Sequence, residues 1–341
     1  MGAPLRLSVL DQSPIRRGGT AAQAVAETLE LAELCDSLGY HRYWLAEHHS
    51  SEALAGSTPE VLITRVAGLT HRMRIGSGGV MLPHYSAFKV AENFRMLETL
   101  FPGRVDLGIG RAPGSDQRTM RILADGRSNW TDPASYPYQV RDLLAWLHDA
   151  LPDNHAGRGV TAQPSGSTAP DVWLLGSSDE SAALAAHFGL PFCFAHFINP
   201  DGGDTATRAY RTHFRSSALH TEPMPMMAIT VLCAETDEEA NLLATSREVW
   251  AMRLLSRGEA GPVPSVEEAL DEAKTPEAER WMPRLRRRSV VGSPKTVRAG
   301  LEQQAANYQV DEIMAVTICY DFAKRRRSYE LLAEEFGLAT C

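Results

Sequence analysis

No stretch of this chain approaches the roughly 18 consecutive apolar residues that a membrane span requires. The first residues, Met1-Gly2-Ala3-Pro4-Leu5-Arg6-Leu7, lack the apolar core and small-residue cleavage site of a signal peptide, so neither secretion nor membrane association is expected. Cysteine is scarce. Cys35, Cys193, Cys233, Cys319 and Cys341 are odd in number, widely spaced and without a CxxC pair. That argues against a disulfide framework and points to idle thiols in a reducing cytoplasm. Base does not outweigh acid: 34 Lys and Arg against 42 Asp and Glu leave a net charge of −8, which disfavours a general affinity for nucleic acid. A Gly-x-Ser-x-Gly elbow, a Walker motif, zinc-finger spacing, an EF-hand loop and a short-period repeat are all missing. What remains is an ordinary globular composition, 44% hydrophobic and 22% charged, in 341 residues. Such a chain can bury a large core without disulfides or metals. Length alone suggests about two domains.

The organising signal is alternation of strand-like and helix-like runs. Strands are predicted over 5–10, 42–46, 74–82, 105–109, 172–175, 191–197, 226–234 and 312–319. Helices are predicted over 20–38, 59–69, 87–100, 138–151, 181–188, 205–218, 237–255, 295–308 and 324–336. Thr20 suits an N-cap and Gly39 a C′ position, while Thr58 and Pro59 suit the cap and first turn of the second helix. Repeated strand–helix order argues for a parallel sheet with right-handed crossovers. Eight such units predict an α/β fold, a closed (β/α)8 TIM barrel, with a doubly wound open sheet as competitor. The chain is then one domain over 1–341, with irregular insertions at about 112–170 and 258–290 that crowd the C-terminal face.

In such a barrel, chemistry sits at the carboxyl ends of the strands. The second strand ends in Glu47-His48-His49. Adjacent histidines point in different directions and no HExxH is present, so no metal is expected and acid–base or hydrogen-bonding work suits the histidine better. The third strand carries Ser77-Gly78-Gly79, two glycines that weaken a strand and mark close approach of a ligand or of packed backbone. Gly108 to Gly114 resembles a dinucleotide fingerprint, but Pro113 holds the third glycine position and the match follows the fourth strand. Arg111 there offers a cationic fork for a phosphate, or merely ties loops together. Gly176-Ser177-Ser178-Asp179-Glu180-Ser181 opens a helix, as an anion site or as ordinary capping. The basic runs at 284–288 and 324–327 read as solvated faces, with a phosphate role for one of them as the alternative.

Several segments resemble the bacterial luciferase-like flavin-dependent monooxygenases, over nearly the whole chain. They are Tyr43-Trp44-Leu45-Ala46-Glu47-His48-His49, Gly76-Ser77-Gly78-Gly79-Val80-Met81-Leu82-Pro83, Ala91-Glu92-Asn93-Phe94, and Pro102-Gly103-Arg104 through Gly110-Arg111. Ser328-Tyr329-Glu330-Leu331-Leu332-Ala333 is similar to the single-chain luciferase-like oxidoreductase group. The resemblance implies a barrel that takes reduced FMN from a separate NAD(P)H:flavin reductase. Through a flavin hydroperoxide it then uses O2 to oxidise a small or medium organic substrate. It implies His48 as the catalytic histidine and a cis peptide at Gly78-Gly79 beneath the flavin ring. Arg111, Ser178 and Ser181 become phosphate ligands, with Ser77, Gly176 and Ser177 beside them in the cofactor site. A homodimer is the usual family assembly. Gly110 stands where the luciferase itself has a reactive cysteine, which argues against light emission. Two alternatives stay open: a deazaflavin-dependent oxidoreductase on the same barrel, and a flavin-binding protein without turnover. The stretch 258–290 is expected to act as a mobile lid, since a site of this kind must exclude water.

Overall fold

In the computed structural model, which describes residues 5–111, 116–124, 133–259 and 261–338, all eight expected strands form. They are β1 (Arg6–Asp11), β2 (Arg42–Leu45), β3 (Arg74–Met81), β4 (Val105–Gly110), β5 (Asp171–Gly176), β6 (Phe192–Ala195), β7 (Pro225–Cys233) and β9 (Glu312–Val316). A further short strand, β8 (Ser289–Gly292), lies between the last two. The helices on the first half are α1 (Ala21–Leu38), α2 (Pro59–Leu69), α3 (Ala87–Leu100), α4 (Gln117–Ala124), α5 (Tyr136–Leu147) and α6 (Asp179–Phe188). The second half adds α7 (Gly203–His213), α8 (Asp237–Met252), α9 (Val266–Glu272), α10 (Pro276–Arg286), α11 (Pro294–Tyr308) and α12 (Phe322–Phe336).

Strands β1 to β7 pair in sequence and in parallel, β7 pairs with β9, and β9 returns to β1. The sheet is thereby closed into the expected (β/α)8 barrel. Strand β8 stands outside that ring and pairs with Thr230–Cys233 of β7 alone. It straddles the end of the stretch at about 258–290 expected to be irregular, and four residues behind a dense basic run carry no readable alternation. The same stretch also holds α9 and α10, which Arg253 and Arg257 of a single π-helical turn after α8 tie down through Glu268, Glu272 and Glu277. The insertion after β4 is likewise partly helical. Its far half packs at the opposite end of the barrel from the one expected: Arg95 near the end of α3 donates to the carbonyls of Leu147 at 2.9 Å and Ala162 at 2.6 Å. Residues 112–115 and 125–132 of that insertion, including Pro113, lie outside the described residues.

The barrel interior is layered. At the amino ends, Arg42 lies between Asp106 at 2.9 Å and Glu312 at 2.8 Å, and all three are almost fully buried. Trp44 Nε1 and Arg74 also donate to Asp106, and Ser8 to Glu312, so every charge in this plug has a partner. Above it Trp44 and Trp173 meet edge to face with ring centroids 5.4 Å apart. Leu10, Cys193, Ala228 and Met314 complete this apolar layer. Near the carboxyl end of β1, Arg325 of α12 donates to Asp11 at 2.7 Å, and both are buried. One member of the run expected to be a solvated face is thus a buried strap between a helix and a strand.

Candidate active site

The apolar layer forms the floor of a cavity of about 420 Å3 at the carboxyl ends of the strands. That volume falls within the range of small-molecule sites. Its β3 wall is the Gly78–Gly79 pair, joined by a cis peptide bond. Position 79 demands glycine, and a side chain at 78 would have to displace Leu10. A Cβ at Gly78 would stand 2.6 Å from Leu10 Cδ1, and one at Gly79 would stand 2.7 Å from the Gly108 carbonyl oxygen. The wall is therefore bare backbone, a surface against which a flat ring system can lie.

Gly176, Ser177, Ser178 and Ser181 line the same cavity. Ser178 is the N-cap of α6; its Oγ accepts from Ser181 N at 3.4 Å and lies 3.3 Å from Ser181 Oγ. Helix N–H groups and two hydroxyls thus face one spot, which favours an anion. Arg111 reaches this side too. It is paired with Glu180 at 2.7 Å, but the two side chains are 40% and 71% exposed, so the pair is weak and readily exchanged for a ligand. An apolar slot with a bare wall and an anion-binding end suits a planar ring carrying a phosphate.

Seven of the nine expected site residues therefore share one cavity. Ser77 does not: its Oγ is buried and donates to the Gly108 carbonyl at 2.8 Å, which locks β3 to β4. His48 does not line the cavity either. It follows β2 on the rim, held by its backbone N–H to the Gly56 carbonyl at 2.8 Å. Its ring Nδ1 is buried without a partner. Burial pushes the imidazole pKa down to about 4; Glu47 opposes this and His49 adds to it. The ring is neutral at pH 7, offering one N–H and one lone pair. The adjacent Glu47 is buried and accepts from Tyr85 Oη at 2.7 Å, His49 Nε2 at 2.7 Å and Met81 N at 3.0 Å. This carboxylate joins the ends of β2 and β3 and holds the segment that carries the glycine wall. Sequence reasoning passed over it because nothing in Glu47-His48-His49 says which side chain turns inward. The floor residues Trp44, Cys193 and Met314 were also missed, since apolar residues in a strand read simply as core. Among the described residues no cluster of His, Cys, Asp and Glu is arranged to hold a metal ion.

Comparison with known proteins gives the family and the shared fold. The family model for luciferase-like monooxygenases matches residues 5–312. A luciferase-like monooxygenase of Escherichia coli K12 is 40% identical over 96% of both chains. The N-acetyl-S-alkylcysteine monooxygenase of Bacillus subtilis is 35% identical over 97% of this chain and 98% of its own. The crystal structure of apo-MsnO8 superposes with a TM-score of 0.90 at 38% identity, covering 99% of this chain and 100% of that one. At 20% identity and a TM-score of 0.74, the fold is shared over 97% of both chains with the oxygenating constituent of 3,6-diketocamphane monooxygenase of Pseudomonas putida, solved in complex with FMN. An F420-dependent secondary alcohol dehydrogenase shares it at 11% identity and a TM-score of 0.68, over 98% of this chain. The chain belongs to the luciferase-like monooxygenase family.

Proposed function

We propose that this chain is the oxygenase of a two-protein system. It takes reduced FMN from a separate NAD(P)H:flavin reductase and uses it with O2 to oxidise a small or medium organic molecule. The observation that carries this reading is the union, in one cavity, of the Gly78–Gly79 wall with the Ser178–Ser181 helix terminus and Arg111. The relatives support it. The N-acetyl-S-alkylcysteine enzyme is named a monooxygenase, and the diketocamphane protein is an oxygenating constituent with FMN.

Reduced FMN, when bound, supplies two electrons to O2 and so allows one oxygen atom to reach the substrate while the other leaves as water. The chain's residues do the rest. Ser178 and Ser181, the N–H groups of α6 and Arg111 would hold the phosphate. The backbone of Gly78 and Gly79 would offer the face for the ring. Leu10, Trp44 and Met314 keep water from the floor. From the rim, outside the cavity lining, the neutral His48 ring would relay a proton toward the mouth, its Nδ1 having no partner in the fold.

Anaerobic fluorescence titration with reduced FMN and with a reduced deazaflavin tests the cofactor. Oxygen consumption in a reductase-coupled substrate screen tests the reaction. The expected result is FMN binding and substrate-dependent oxygen uptake, lowered at least tenfold by His48→Ala. Binding of deazaflavin alone would overturn the cofactor. Flavin binding with no uptake above that of free reduced FMN would leave a binding protein.

A further inference from the structure

Two arginines at the open end of the barrel have buried nitrogens without an acceptor among the described residues. Arg247 on α8 is only 9% exposed, and its Nε and Nη1 are buried without a hydrogen-bond partner. Burial holds its pKa down to about 10; Glu248 opposes this and the nearby Arg288 adds to it. Glu248 is ion-paired with Arg286, and its own carboxylate oxygens are buried without a hydrogen bond, so it offers Arg247 charge but no hydrogen bond. Arg288 is half-buried, and its Nε is likewise buried without a partner. Arg287 beside it is engaged by Asp201. Unpaired guanidinium groups this deep are unfavourable unless a ligand completes them.

Their position ties them to the cavity. Helix α8 leaves the carboxyl end of β7. Three and four residues beyond Arg247, Trp250 and Ala251 cluster with Ala53, Leu54 and Ile318, which follow β2 and β9. The Arg288 carbonyl accepts from Thr230 N at 3.3 Å, and the Arg287 carbonyl accepts from His196 Nε2 at 2.9 Å. Thr230 is two residues beyond the cavity residue Ala228 on β7, hence on the same strand face, and His196 directly follows the cavity residue Ala195. Thr230 Oγ1 is also buried without a partner. The cluster therefore stands next to the β6–β7 side of the mouth, one layer behind the lining residues Ala195 and Ala228 and not itself part of the lining, whereas Arg111 and Ser178 follow β4 and β5.

We propose that Arg247 and Arg288 bind an anionic oxygen group, a carboxylate or phosphate, on an otherwise apolar substrate. This deepens the reading of the cavity as an oxidation site and rests on it. The cofactor phosphate has its own donors at α6, so the second pair of cations serves a second anion. The apolar floor of Trp44, Ala228 and Met314 takes the rest of the molecule.

The test is calorimetric titration of the protein in the presence of FMN with hexanoate, hexyl phosphate, hexanamide and inorganic phosphate, FMN affinity being followed separately by flavin fluorescence. At least one hexyl anion is expected to bind tenfold or more tighter than hexanamide, and which one does so distinguishes carboxylate from phosphate. Arg247→Met is expected to erase that advantage and Arg288→Gln to weaken it, both leaving FMN affinity unchanged. Equal binding of all three hexyl compounds would overturn the proposal. So would an advantage that survives both substitutions, or inorganic phosphate binding as tightly as hexyl phosphate. Removing an unpaired buried charge should leave Arg247→Met melting no lower than the parent; a fall of more than about 5 °C would make Arg247 a structural residue. Loss of FMN binding with anion discrimination intact would count against the proposed cofactor and not against this site.

Discussion

Arg42 and Arg247 are the same residue type at similar depth, 3% and 9% exposed, yet at the two ends of the barrel they are treated in opposite ways. At the amino ends Arg42 is held by Asp106 and Glu312, and those carboxylates are in turn held by Trp44, Arg74 and Ser8. At the carboxyl ends Arg247 leaves its Nε and Nη1 without a partner, and Arg288 beside it leaves its Nε unpaired. A buried charge that the fold satisfies closes the barrel. A buried charge that it leaves unsatisfied marks where something else must arrive.

The largest effect is expected from breaking the paired end. Asp106→Asn removes the carboxylate shared by Arg42, Arg74 and Trp44 and should cost about 3–5 kcal/mol in urea unfolding. A loss under about 1 kcal/mol would mean the plug is not what holds the strands. Next is Gly79→Ala, whose Cβ would meet backbone oxygen at 2.7 Å. Backbone cannot rotate away, so about 1–3 kcal/mol of stability should go, with FMN affinity falling at least tenfold. An unchanged flavin titration would remove this wall from the site.

A smaller, pH-dependent effect is expected at His48. Its folded pKa is about 4, below its ordinary 6.5, because burial disfavours the charged ring. The unfolded state therefore takes up more protons between those values. The stability contribution is present above pH 6.5 and is lost as pH falls towards 4. With the ring only partly buried, the loss between pH 7 and pH 5 should be on the order of 1–2 kcal/mol. His48→Gln should flatten it relative to the parent, and an identical pH profile would count against the burial. The smallest effect belongs to Ser178→Ala, about 1 kcal/mol of helix cap. It should weaken FMN binding several-fold and leave riboflavin binding unchanged; equal losses would remove the phosphate from α6.

Local chemistry was legible wherever one residue dictates one conformation. Thr20 caps α1 in a capping box with Gln23, and Gly39 ends the helix at φ 86°. Thr58 begins α2 without a side-chain bond, Pro59 alone setting the first turn. The glycine pair in β3 and the serines at α6 stood out because each departs from what its element needs. Arg325 and Arg288 did not stand out, because a run of basic residues looks the same whether its members face water, a buried aspartate or a ligand. Arg247 left a trace: it falls on the apolar stripe of α8, between Leu243 and Ala244 on one side and Trp250 and Ala251 on the other.

The strand–helix alternation, the eight barrel strands and the oddity of the glycine pair follow from the sequence itself, through periodicity and the limits that φ, ψ and Cβ place on each residue, while closure of the sheet was one of two arrangements it allowed. The tertiary structure alone decided which charges are paired. It turned Ser77 away from the cavity, left His48 on its rim, set β8 outside the ring and sent the far half of the first insertion to the opposite end. The physical reason is that pairing and depth depend on partners distant in sequence. Asp106 and Glu312 reach Arg42 from strands 64 and 270 residues away, and Asp11 reaches Arg325 across 314.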